Sequence, residues 1–462
     1  MSATFWLALV VQMITVWLLR LGLGKGWLLR PVTVLVLASV VYDGVSQVLL
    51  AFPSVLAADQ FRDGIMPGWA ATANLLLSVA MLAFTVGFLL TGRQRGVEAS
   101  PEDVSAAASV LDWRLLAALS LPLAVLTYAG RGYGAIPVPG TPPVPPSPSV
   151  ASTFFVITVT LATVAFVLRH GRLLPALAVQ SLVLAAAGER LPIVAGVLIV
   201  MLVAGRAGVL PSRRQVLAGA VLGVAAVLAI TGVRAHSGRG LFQTDTGFGA
   251  RAAALTSGLT AAPQPGTPGL VAQTAARFDG VSYAAGILQS HASGQPLLGP
   301  GPAAESMLEV VPKALWPSKP ETGNALNAYV EQIGAFGLQD INFLPGFPGL
   351  FTGCLSWPWL LAAMGLLGAA WGWAERRVMA RVTAARLVLL AGMVQTAAEF
   401  EGGAPAMLAV LRTGVMAAAI VWAAAVVLNR RTVQQHGTVG EDHARRLEPF
   451  AARPGRGDTH LT

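Results

Sequence analysis

Charge is what this 462-residue chain has least of: Asp, Glu, Lys and Arg make up 11% of it, against roughly a quarter of an ordinary soluble domain. With 55% hydrophobic residues, that scarcity excludes a soluble multidomain enzyme and points to a chain dissolved in lipid. Cysteine is nearly absent. Cys354 stands alone in an apolar run, so no disulfide staples the chain internally. Acidic residues are outnumbered, 22 against 31 Lys and Arg, and the isoelectric point lies near 10.5. In a soluble protein that balance would suggest nucleic acid; in a lipid-dissolved one the question is where the basic residues sit.

Long apolar runs, by contrast, are plentiful. A helix needs about 20 apolar residues to cross a hydrocarbon core of roughly 30 Å. Eleven stretches qualify: 3–19, 31–52, 68–92, 114–130, 150–168, 173–187, 191–205, 215–233, 346–374, 385–399 and 404–428. The first has no basic residue before it and no small-residue cleavage pattern after it, so it is expected to be a retained helix. The expected fold is therefore an all-α polytopic membrane protein of about eleven transmembrane helices with one large external loop domain.

Lys and Arg in short loops stay in the cytoplasm. One set of connections holds Arg20, Lys25, Arg30, Arg93, Arg95, Arg114, Arg169, Arg172, Arg206, Arg213, Arg214, Arg376, Arg377, Arg381, Arg386, Arg430 and Arg431, seventeen in all. The short connections on the other side hold three: Arg62, Arg131 and Arg190. The asymmetry places the N-terminus outside a cytoplasmic membrane and the C-terminus inside, and an odd number of spans agrees with it. The organisation expected is an N-terminal bundle over 1–233, an external loop domain over 234–345, three more spans over 346–428 and a mobile cytoplasmic tail over 429–462. Residues 131–149 read as an extended Pro-rich external connector. No internal repeat and no inverted pair of interrupted helices appears.

The external loop is close to neutral, so its basic residues answer no topological rule and are free to bind an anion. Arg234, Arg239, Arg251 and Arg277 lie in its first half, Lys313 and Lys319 in its second. Forked guanidinium contacts suit phosphate; the competing reading is solvated arginines paired with nearby Asp. The Gly188-Glu189-Arg190 turn is sharper. Its flanking apolar runs of about 15 residues cover roughly 22 Å, which recesses the turn below the outer surface. A charged pair there is a functional candidate unless Glu189 and Arg190 simply neutralise one another. Arg412, about eight residues into the last span, must face the bundle interior, with Asp43, Glu399 and Glu401 as its available structural partners. His236 and His291 are candidate bases near neutral pH or ordinary polar side chains.

The run Val311-Pro312-Lys313-Ala314-Leu315-Trp316-Pro317-Ser318-Lys319-Pro320 resembles the P-x-x-x-W-P-x-K-P element in the large external loop of bacterial oligosaccharide repeat-unit polymerases of the O-antigen polymerase type. Gly188-Glu189-Arg190 resembles that family's G-x-R at the outer end of a mid-chain helix pair. Arg234 and Arg277-Phe278-Asp279 resemble its later external arginines, and Pro345-Gly346-Phe347-Pro348-Gly349 its glycine-containing return into the membrane. The resemblance covers about residues 170–375; the first 150 match in hydropathy alone. No R-x10-G pattern starts at Arg190, Arg234, Arg239, Arg251 or Arg277, a departure from some members.

The resemblance implies transfer of a glycan from a polyprenyl diphosphate carrier to a hydroxyl of a second lipid-linked oligosaccharide, on the outer face of the cytoplasmic membrane. It implies a GT-C-like scaffold and an inverting reaction without metal or other cofactor. Arg190, Arg234 and Arg277 are then candidates to offset the charge on the departing diphosphate, with Lys319, Arg412 and Trp316 as further donor- or glycan-binding residues. His291, His236 and Asp279 are candidate bases. The partners implied are lipid-linked donor and acceptor, the bilayer, a flippase and a chain-length regulator, and no nucleic acid. A ligase with the same donor and a lipid-linked oligosaccharide flippase are the alternatives, together with a non-catalytic assembly partner for which Arg190 and Arg412 are structural. The sequence contains no D-x-D, and Asp59 and Asp63 stand four apart, which argues against a metal-dependent enzyme on this scaffold.

Overall fold

Ten of the eleven stretches expected to cross a membrane are helical in the computed structural model. The structure describes residues 3–51, 66–92, 100–130, 150–186, 191–209, a few positions between 212 and 221, 280–311, 316 and 346–447. Most of the eighth stretch, 215–233, lies outside them. Among the described residues there is no strand, and the fold is all-α. Four helices are long and apolar enough to cross a membrane, at Ala3–Leu23, Gly68–Thr91, Ala151–His170 and Ala406–Val426, with a fifth if a pair bent by 61° counts as one span. Shorter apolar helices surround them.

In chain order the helices are α1 (Ala3–Leu23), α2 (Pro31–Ala51), α3 (Pro67–Gly92), α4 (Pro101–Ser109), α5 (Trp113–Gly130), α6 (Val150–His170), α7 (Leu173–Ala186) and α8 (Leu191–Arg206). After the undescribed stretch come α9 (Gly280–Ala292), α10 (Pro300–Met307), α11 (Gly346–Cys354), α12 (Trp357–Met379), α13 (Ala384–Ala398) and α14 (Gly403–Leu447). Three features depart from expectation. The single span read over 346–374 is two helices, because Ser356 is extended (φ −65°, ψ 155°) and Pro358 occupies the first turn of α12, where its missing N–H costs nothing. Helix α4 forms within a connection expected to be plain loop, started by a capping box in which Ser100 and Asp103 bond each other's backbone N–H. Helix α14 runs on to Leu447, carrying helical backbone into the segment read as a mobile tail.

Lipid offers apolar helices no hydrophobic reason to associate, so close packing of small residues has to supply one. Helix α12 does this with Gly365, Gly368 and Gly372. A Cβ added at Gly368 would stand 1.9 Å from the Phe84 carbonyl of α3, and one added at Gly87 would stand 1.9 Å from the Gly365 carbonyl. Thr91 donates across the same seam to the Ala369 carbonyl at 2.9 Å. Helices α13 and α14 cross in the same way at Gly392 and Gly414. Large apolar side chains face outward, Leu90 at 81% exposure and Leu366 at 73% among them. Exposed tryptophans flank α12, with Trp357 and Trp359 at one end and Trp373, stacked under Arg377 at 5.3 Å, towards the other. That is the distribution of a membrane-embedded protein with interfacial aromatic belts.

Five connections meet at one end of the bundle. Arg206 donates to the Leu29 carbonyl at 3.3 Å, Gly208 lies beside Pro101, and Trp113 stacks edge-on to His170 at 6.3 Å. The fifth is tied by a buried ion pair. Arg30, just before α2, places Nη1 3.4 Å from Glu375 Oε1 near the end of α12. Glu375 is 0% exposed, and its Oε2 accepts the Val32 N–H at 3.0 Å and the Trp371 indole N–H at 3.2 Å. The carboxylate thus covers the N-terminus of α2, where the helix dipole favours negative charge.

Two outcomes are expected in detergent-solubilised protein. Gly368→Leu forces backbone apart and lowers unfolding free energy by about 1–3 kcal/mol or more, read as a fall in thermal midpoint. Glu375→Ala removes the carboxylate from a buried ion pair and costs about 3–5 kcal/mol, whereas the paired change Arg30→Met with Glu375→Leu costs much less.

Candidate functional site

The end opposite the basic connections is built largely from residues 280–311 and 346–354. Helix α9 is not a surface element: Val281, Tyr283, Ala284, Ala285 and Ile287 are buried. Its small apolar face packs with Ala70, Ala73 and Leu77 of α3, and Tyr283 and Ile287 join the main core. Helix α9 runs antiparallel to α3. Gln289 in its last turn accepts the Met66 N–H at 2.9 Å, where α3 begins, while Val281 in its first turn belongs to the cluster that extends to Leu77. The chain then returns through Leu298, whose N–H donates to the Gly353 carbonyl of α11 at 3.1 Å. All of α11 but Leu350 is buried, and the Phe400 ring closes over Gly346 and stands 5.8 Å from the Tyr42 ring of α2.

Three of the sequence-derived site residues fall among the described ones. His291 is exposed on the last turn of α9, its Nδ1 2.8 Å from the Gln295 carbonyl. A carbonyl oxygen only accepts, so Nδ1 carries the proton in this contact and the neutral ring keeps its Nε2 lone pair. Trp316 is half-buried, and Arg412 is half-buried on α14. Arg190, Arg234, His236, Arg277, Asp279 and Lys319 lie outside the described residues. His291 lies eleven residues beyond Gly280, the first residue of α9, roughly 16 Å along a helix rising 1.5 Å per residue.

Two of the three residues expected as partners of Arg412 are described in their side chains; that of Glu401 lies outside the described ones. Asp43 is buried and accepts from Ser39 Oγ at 2.9 Å, and Glu399 is buried at the α13–α14 hairpin. Sequence reasoning missed a third polar group. Gln12 of α1 donates through Nε2 to Asn74 Oδ1 at 3.3 Å and to Ser78 Oγ at 3.1 Å on α3, all three side chains buried. Polar residues at i and i+4 inside an apolar run, as Asn74 and Ser78 are, carry the signal that would have found it. Among the described residues no group of three or more His, Cys, Asp and Glu is gathered closely enough to hold a metal ion.

Comparison of the chain with protein-family models, curated proteins and solved structures gives no match. The site therefore rests on its own residues. Gln289 ties α9 to α3, and Gln289→Leu removes its hydrogen bond to the Met66 N–H, worth about 1 kcal/mol. Amide exchange across residues 280–292 is expected to quicken roughly five-fold, with exchange in α12 unchanged, as measured by hydrogen–deuterium exchange of the solubilised protein.

Proposed function

We propose that this chain is a glycosyltransferase of the repeat-unit polymerase kind, with about eleven spans, its N-terminus outside and its C-terminus in the cytoplasm. It moves a glycan from a polyprenyl diphosphate onto a hydroxyl of a second lipid-linked oligosaccharide at the outer face of the cytoplasmic membrane. The observation that carries this reading is the order of its chemistry-bearing residues. Arg190, Arg234, Arg277 and the Trp316-Pro317-Ser318-Lys319-Pro320 run follow one another on the side that short-loop basic residues avoid. Two structural facts support that sidedness: the basic connections meet at one end of the bundle, and His291 lies at the opposite end, where α3 begins.

The reaction joins the acceptor oxygen to the anomeric carbon while the bond from that carbon to the diphosphate oxygen breaks, its electron pair leaving with the diphosphate. The acceptor proton passes to a base. Cations fixed where that charge grows, in a site shielded from water, lower the barrier more than they strengthen substrate binding. Arg190, Arg234 and Arg277 have this role, with Lys319 as a point charge. His291 meets the requirement of a base through its free Nε2; Asp279, beside Arg277 in the chain, is its rival.

Arg190→Ala, Arg234→Ala and Arg277→Ala are expected to leave membrane insertion intact and to collapse long glycan chains to single repeat units on gels of a deletion strain carrying each variant. Normal chain length in all three overturns the mechanism. Complete but unattached chains in the deletion strain indicate a ligase, and accumulation on the inner leaflet a flippase. Of His291→Ala and Asp279→Ala, only one is expected to match the arginine variants.

A further inference from the structure

The connection between α12 and α13 gathers positive charge with no acid left to balance it. Arg376 and Arg377 close α12, Arg381 stands in the turn, and Arg386 lies in the first turn of α13. The acid of this stretch, Glu375, is buried and occupied by Arg30, the Val32 N–H and the Trp371 indole. Glu102 and Asp103 belong to α4, which packs against α13, and Asp103 accepts the Ser100 N–H. Among the described residues none of the four arginines is ion-paired. Arginines that only set topology extend separately into water, and these do not. Arg386 folds back, its Nη1 donating to the Arg381 carbonyl at 2.9 Å. Arg377, exposed and one helical turn before Arg381, lies over the exposed Trp373 ring, 5.3 Å from its centroid. Like charges at that spacing repel, and α13 opens at the same point with no acid in its first turn, adding the positive end of its dipole. The cluster is complementary to an anion.

Depth and surroundings select the kind of anion. Tryptophan sits at the level of lipid headgroups, so the guanidinium over Trp373 is held where lipid phosphates lie. From there an exposed stripe runs down α12 through Trp373, Ala370, Leu366, Ala362 and Trp359, and its two alanines leave it shallow between the large side chains. We propose that the α12–α13 turn binds an anionic phospholipid in the leaflet at the basic end of the bundle. Arg377, Arg381 and Arg386 take the phosphate through forked contacts, Trp373 packs beside the headgroup, and an acyl chain follows the stripe past Leu366. A zwitterionic lipid brings its own cation to the same guanidiniums and is disfavoured. The site lies apart from the residues assigned to glycan transfer and stands whether or not that assignment does.

Native mass spectrometry of the full-length protein, released from detergent with phosphatidylglycerol or phosphatidylcholine added, tests this. Phosphatidylglycerol is expected to bind at least about ten-fold more tightly than phosphatidylcholine, and the double variant Arg377→Gln with Arg381→Gln to lose that preference. A control, Arg20→Gln with Arg172→Gln, removes as much exposed charge from the same end and is expected to keep it. Equal loss in the control shows attraction by net charge alone, and equal binding of the two lipids shows no headgroup site; either result overturns the proposal. Displacement of the lipid by an equal concentration of inorganic phosphate also overturns it, since the site is then one for a free anion. Trp373→Leu keeps every charge and gives a second reading. Phosphatidylglycerol binding weakened about three-fold supports the stack at the headgroup, and unchanged binding overturns the placement of the lipid on this face.

Discussion

Backbone contact between α3 and α12 is the constraint on which the rest of the bundle depends. Both helices are mostly apolar, and lipid would solvate either one, so their association rests on contact that lipid tails cannot supply. Gly87, Gly365, Gly368 and Gly372 bring carbonyls of one helix to where side chains of the other would be. Helix α3 is then held rigidly enough to serve as a post. On its other faces it receives α1 through the Gln12–Asn74–Ser78 cluster, and α9 through an alanine-rich groove and the Gln289 contact. The end of the bundle that carries α9 is thus positioned by a seam lying further down the same helix.

Much of this architecture was legible because hydropathy is a one-dimensional signal. The apolar runs at 3–19, 68–92 and 150–168 lead directly to α1, α3 and α6. What escaped was decided by contacts that sequence spacing does not encode. Helix α9 has thirteen residues, too few to read as a span, and only the fit of its alanines against Ala70 and Ala73 draws it out of the loop and into the core. The break before α12 is hidden because both sides are apolar; Pro358 alone hints at it. Glu375 reads as the first charge after a span, and nothing local announces that it caps α2.

The candidate site was legible to a lesser degree. His291 has geometry that suits a proton acceptor, at the far end of α9 from Gly280. The arginines drew notice for their side of the membrane, a property of topology. The buried amides of Gln12 and Asn74 drew none, because a single Asn or Gln barely lowers the hydropathy of an apolar run. Inside a bundle the ranking reverses: an arginine at a surface can be solvated, whereas a buried amide must be answered by another polar group.

The ion pair at the basic end joins residues 345 positions apart in the chain. At a ribosomal rate of about 5–20 residues per second, Glu375 is made roughly 17–70 s after Arg30. For that interval the nascent N-terminal half holds α2 with its first amides uncapped, and α3 without the helix that grips it. Until α12 arrives, α3 can hold α1 through the Gln12–Asn74–Ser78 cluster but lacks the glycine seam.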